Sequence, residues 1–272
     1  IERITALLIF FCAFSVISYC IWTLDRGFEI TDEAYYLLLA MYPDSVKAYV
    51  SVQQWVTSGI WKLTESIVFF RMAGLFLLLA SAALLAAGFF SFCLRFNLVA
   101  DRKILRGVVI AGSAVCSMLY ASTINLSPSY NLLASAGAYS AAGLSLLAID
   151  HNSVKYKYLL FFLAGCSVGV EFLCKASAGI STWVLLVFWL VLLDRSLVDK
   201  FFGSIVILLG TFACIGIFLL TNTTISDAAS GVAQGMQLFT MVQTETVGAR
   251  LIRYSIEFGG HFMASLKAFD IS

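Results

Sequence analysis

The chain has 272 residues, 61% of them hydrophobic and 12% charged, with a formal net charge of +1. Soluble domains carry about 45–50% apolar and about 25% charged residues, so a water-exposed globule, a disordered chain, a collagen-like repeat and a secreted disulfide scaffold are excluded. A mean hydropathy of +0.93 leaves an all-α, polytopic transmembrane helical bundle, because helices satisfy their own backbone inside lipid.

A membrane-crossing helix needs about 20 apolar residues. The first such stretch runs from 4 to about 22 without a charge, and it lacks the A-x-A site of a cleaved signal. The second covers about 66–94, interrupted only by Arg71. The uncharged stretch 107–149 is too long for one span, and the turn chemistry of Asn125-Leu126-Ser127-Pro128-Ser129-Tyr130-Asn131 divides it in two. The stretch 159–193 is divided likewise at Glu171, Lys175 and Gly179, and a seventh span covers 201 to about 220. Residues 1–221 therefore read as a transmembrane module of seven predicted spans with a first outer loop at 23–66; residues 222–272 read as an outer amphipathic segment.

Orientation follows from the basic residues. The connections at 1–3, 93–106, 150–158 and 194–200 hold nine Lys/Arg in 33 residues, against seven in 111 for 23–66, 122–131, 174–179 and 222–272. The first set is cytoplasmic by the positive-inside rule, and Trp22, Trp55 and Trp61 then lie near the outer interface. The outer loop 23–66 predicts two interfacial helices, one from Thr31-Asp32 to Pro43 and one after Asp44. The second carries a polar stripe of Lys47, Ser51, Gln54 and Ser58. In 222–272, Val247, Leu251, Tyr254 and Phe258 form one face, with Arg250, Arg253 and Glu257 on another. Cys12, Cys20, Cys93, Cys116, Cys166, Cys174 and Cys214 show no C-x-x-C spacing and act as small hydrophobes.

Ionisable groups are nearly absent at mid-depth, where coupled transporters need them. Arg71, Glu171 and Lys175 stand toward outer helix ends, so chemistry belongs at the outer boundary. The densest acidic cluster there is Asp25, Glu29, Asp32 and Glu33. Asp32 and Glu33 start a helix, where acids also serve as ordinary dipole partners. Neighbours on a helix point about 100° apart, so one carboxylate can face a substrate while the other orients it or helps hold a divalent metal ion. Lys175 either snorkels and pairs with Glu171 or binds a lipid phosphate, and Arg71 has the same two options. Arg250 and Arg253 are either a solvated face or further phosphate ligands. His261 stands beside Gly259-Gly260 without a second donor, a poor metal site.

Four of these features, in this order and on this side, resemble the GT-C glycosyltransferases of the dolichyl-phosphate-mannose protein mannosyltransferase and aminoarabinose transferase type. They are Thr31-Asp32-Glu33-Ala34-Tyr35-Tyr36, Arg71-Met72-Ala73-Gly74-Leu75-Phe76, Ser127-Pro128-Ser129-Tyr130 and Gly169-Val170-Glu171-Phe172-Leu173-Cys174-Lys175. The last is similar to the family's G-x-x-x-L-T-K stretch, with Cys174 in place of Thr and Glu171 where a small or apolar residue is usual. The resemblance covers about residues 1–220. It implies inverting transfer of a sugar from a polyprenyl-phosphate carrier to an acceptor hydroxyl of a lipid, glycan or protein on the non-cytoplasmic face. Asp32 would be the base, Glu33 its orienting or metal-binding partner, and Arg71 and Lys175 the cations facing the departing phosphate. Membrane lipids are expected partners and nucleic acid is not. Family members commonly carry further spans, so the chain is expected to be the front part of a larger enzyme. A bacterial or archaeal plasma membrane is the favoured setting, with the endoplasmic reticulum membrane as the other. A transporter, a lipid flippase or a non-catalytic membrane subunit would share the span pattern.

Overall fold

A computed structural model describes residues 2–26, 32–45, 51–99, 103–121, 126–151, 153–193, 197–242 and 256. Among them the secondary structure is helical, with no strand. The helices are α1 (Glu2–Thr23), α2 (Asp32–Met41), α3 (Gln53–Thr64), α4 (Ile67–Arg95), α5 (Lys103–Ala121), α6 (Tyr130–Asp150), α7 (Val154–Cys174), α8 (Ala176–Leu193), α9 (Leu197–Asn222) and α10 (Ile225–Val242). Each of the seven expected stretches is helical. Five of those helices, α1, α4, α6, α7 and α9, are long and apolar enough to cross a membrane, as an integral multi-pass protein requires. Of the other two, α8 is apolar but shorter, and α5 carries Lys103 and Arg106 in its first turns.

The bundle is held by close backbone approach, which lipid-embedded helices need because burial of apolar surface gives them little drive to associate. Helix α4 meets α6 where Gly88 and Gly143 face each other, and a Cβ on either would run into the other helix's backbone. Helix α7 meets α9 in the same manner, with Gly165 against the Ile207 carbonyl and the Thr211 hydroxyl donating to the Gly165 carbonyl at 3.0 Å. Between these contacts lies the main core: Ala141, Ala148, Ile149, Phe161, Val168, Leu186, Leu190 and Ile207, from α6, α7, α8 and α9. Helix α1 stays peripheral. Its Leu7, Phe11 and Phe14 are exposed, the surface a lipid-facing helix presents, while Phe10 packs over Gly107 of α5.

Polar bonds close one end of the bundle. Lys157 donates to Asp199 at 2.8 Å, Tyr158 donates to the same carboxylate at 3.0 Å, and Arg95 donates to the Ile149 carbonyl. At the opposite end, Ser129 caps α6 by accepting from the Leu132 amide at 3.2 Å, so the turn chemistry does begin a helix there. Thr224 and Asp227 form a reciprocal cap at the start of α10.

Two expectations about the outer loop change. The second interfacial helix begins at Gln53, not directly after Asp44. Its polar stripe does not face water: Gln54 and Ser58 are buried and Ser51 is half-buried, the neighbouring Gln53 and Thr57 are buried as well, and Leu63 is almost fully exposed. Part of the cause is that α3 is tied to the end of α7, where the Val52 amide donates to the Leu173 carbonyl at 3.0 Å. Lys47 of that stripe lies outside the described residues, as does the proposed amphipathic face around Arg250 and Arg253.

Candidate active site

Helix α2 carries two adjacent acids in its first turn, and the 100° step between them sends them apart. Asp32 is exposed and Glu33 is buried. Glu33 meets Arg71 of α4 in a two-pronged ion pair: Nε donates to Oε1 at 2.7 Å and Nη2 to Oε2 at 2.7 Å. Ser127, in the turn before α6, donates to the same Oε1. The remaining arm of Arg71, Nη1, donates to the Leu24 carbonyl at 2.6 Å and to that of Arg26 at 3.5 Å. A planar guanidinium suits this fork, and a buried ion pair persists only when its other hydrogen-bonding positions are also filled. The cluster joins the end of α1, the start of α2, the outer turn of α4 and the α5–α6 turn.

This geometry redefines two expected roles. Arg71 is buried and committed to Glu33 and to backbone carbonyls, so it is an anchor rather than a phosphate ligand. Glu33 has both oxygens engaged by Arg71 and Ser127 and is buried with them, while Asp32 is exposed. Asp32 alone makes a poor metal site, and among the described residues no three His, Cys, Asp or Glu side chains group closely enough to hold a metal.

Lys175 does not pair with Glu171. Helix α7 ends at Cys174, and Lys175 adopts φ −152°, ψ 89°, which carries its side chain off the helical path that would bring i and i+4 together. Its ammonium instead donates to Asn131 Oδ1 at 3.1 Å and stands 5.5 Å from the centre of the Tyr130 ring. Glu171 turns inward: it is almost fully buried, its Cβ lies against Gly137 of α6, and its Oε1 accepts from Thr182 of α8 at 2.9 Å.

The two exposed charges are linked through tyrosines. Tyr36, one turn after Asp32, packs edge-on against Tyr130 with ring centres 5.9 Å apart. The Tyr36 hydroxyl is held well above its ordinary pKa by burial first, then by Tyr130 and by the Asp32 carboxylate, so it stays protonated and able to donate at neutral pH. Asp32, Tyr36, Tyr130 and Lys175 thus form one series, with exposed charges at its ends, half-buried rings between them and Asn131 steadying the lysine. A base, a pair of hydroxyls and a cation are the groups that activate an acceptor hydroxyl and receive a departing anion. Tyr36, Ser127 and Tyr130 stand in the motifs quoted from the sequence and Asn131 in the turn, but none of the four was given a role in the site there. Only Tyr36 carried a local signal, its four-residue spacing from Asp32 on one helix face.

An open apolar groove of about 620 Å³, lined by Leu63, Thr64, Phe69, Met72, Ala73 and Phe76, runs beside the junction of α3 and α4 and contains none of these side chains. Arg250, Arg253 and His261 lie outside the described residues. No known protein family, curated protein or solved structure matches the chain.

Proposed function

We propose that the protein is a membrane glycosyltransferase that moves a sugar from a polyprenyl-phosphate carrier to an acceptor hydroxyl on the non-cytoplasmic face. The observation that carries this reading is the exposure of Asp32 and Lys175 at the two ends of the Tyr36–Tyr130 pair. The acceptor O–H gives its proton to the Asp32 carboxylate as its oxygen attacks the anomeric carbon. The bond from that carbon to the phosphate oxygen breaks on the opposite side, and the phosphate leaves with the electron pair, which inverts the configuration. Lys175, partnered only by a neutral amide and a ring among the described contacts, has its charge available for that phosphate. Glu33 and Arg71 hold Asp32 in place without touching substrate. The acceptor is a lipid, glycan or protein hydroxyl, and a bacterial or archaeal plasma membrane is the proposed setting.

The test is sugar transfer by the purified chain in lipid nanodiscs, supplied with polyprenyl-phosphate sugars and a panel of hydroxyl acceptors. Asp32→Asn is expected to lower kcat by about 10²–10⁴-fold, the range of a positioned general base. Transfer at the wild-type rate would remove Asp32 from the role. Carrier movement across the bilayer without transfer would favour a flippase.

A further inference from the structure

The first turn of α3 contains two buried amides that the fold leaves unsatisfied. Gln53 is 8% and Gln54 2% exposed, and Gln53 Oε1 and Gln54 Nε2 have no hydrogen-bond partner among the described residues. Their neighbour Thr57 differs: its hydroxyl is satisfied by the Gln53 and Gln54 carbonyls of its own helix, at 3.1 Å each. The N-terminus of α3 is also uncapped, because Val52 supplies no side-chain bond to it. Side chains in a first turn lean toward the helix N-terminus. That end of α3 is bonded to Leu173, two residues before Lys175. Apolar residues of the same volume would fill this packing without orphaned polar atoms, and buried polar groups are ordinarily paired.

One amide offers an acceptor and the other a donor. A sugar satisfies both with neighbouring hydroxyls, one donating to Gln53 Oε1 and another accepting from Gln54 Nε2. An anion meets only the donor, and an ammonium only the acceptor. We infer that Gln53 and Gln54 form a subsite for hydroxyls of the sugar bound beside Lys175. The inference rests on the sugar-donor reading above. The amides are closed from solvent in this form, so the first turn of α3 opens to admit the ligand and closes on it, excluding water.

The test uses the full chain in nanodiscs, with the fluorescence of the adjacent Trp55 as one reporter of binding. The probes are farnesyl phosphate and farnesyl phosphate bearing a single hexose or pentose. Wild type is expected to bind at least one sugar-bearing probe about tenfold or more tightly than the bare lipid. Gln53→Leu and Gln54→Met are each expected to abolish that preference while bare-lipid affinity and helix content stay unchanged. Retention of the preference in both variants would overturn the subsite. Binding of both probes by wild type without a sugar preference would also overturn it and leave the carrier reading standing. Failure of wild type to bind either probe would remove the carrier reading and the subsite with it. A variant that loses helix content is replaced by Gln54→Glu, which keeps the shape but removes the free N–H; an undiminished sugar preference there overturns the subsite.

Discussion

Asp32 and Glu33 occupy adjacent positions, but one faces solvent and the other lies in an ion-paired interior, and their substitutions should differ in kind. Arg71→Met leaves the Glu33 carboxylate buried without its cation, a change expected to cost about 3–5 kcal/mol. Thermal unfolding in detergent would register it as a large fall in Tm, and the double variant with Glu33→Gln should recover part of the loss. Asp32→Asn should leave Tm unchanged while removing activity. Tyr36 gives a pH signature. Its folded pKa is raised, so its contribution to stability is fully present below the unfolded value of about 10 and is lost as pH rises through the folded value. Stability should therefore hold steady through neutral pH and fall above about pH 10, and Tyr36→Phe should weaken that alkaline fall. An alkaline limb unchanged in the variant would assign the effect to another group.

At the scale of elements, helix contacts turn on where a Cβ can be placed. Gly143→Val would drive side-chain atoms into the backbone of α4 at Leu84 and Leu85, and overpacking of this kind costs about 1–3 kcal/mol. Gly112 has nothing near its absent Cβ, so Gly112→Ala should be neutral or stabilise by up to about 1 kcal/mol through helix propensity. Paired melting curves test both, and a neutral Gly143→Val would show that α4 and α6 do not approach closely. Helix α3 shows what periodicity leaves open. The spacing of Gln54 and Ser58 identified a polar face, but a face acquires a direction only from its neighbours. Here the bond from Val52 to Leu173 and the packing against α2 and α4 turn that face inward. The Glu171–Lys175 pairing failed for a related reason: i, i+4 logic holds within a helix, and α7 ends between the two side chains.

For the whole molecule, the near-zero net charge conceals polarity. The connections expected on the cytoplasmic side carry nine basic and five acidic residues, and those expected outside, with Arg71 and Glu171, carry eight basic and eleven acidic. If that distribution sets the topology, an impermeant maleimide should label Lys62→Cys only from outside and Lys155→Cys only from the cytoplasmic side of oriented vesicles, relative to the unsubstituted chain. Both positions are exposed, and labelling from one common side would refute the arrangement. Helix existence and approximate boundaries were legible in the sequence because they depend on local hydrophobic runs and turn residues, which need no knowledge of neighbours. The candidate site was legible only in part. Asp32 and Lys175 stood out as charges near an apolar boundary, but what each one touches was decided in three dimensions. Arg71 finds Glu33 thirty-eight positions away, and Lys175 finds Asn131 forty-four away. Long-range pairing of this kind follows from which helices pack together, and that is set by small residues and side-chain fit that a single sequence does not map. Tertiary structure therefore converted a list of outer charges into one buried anchor and one exposed pair joined by tyrosines.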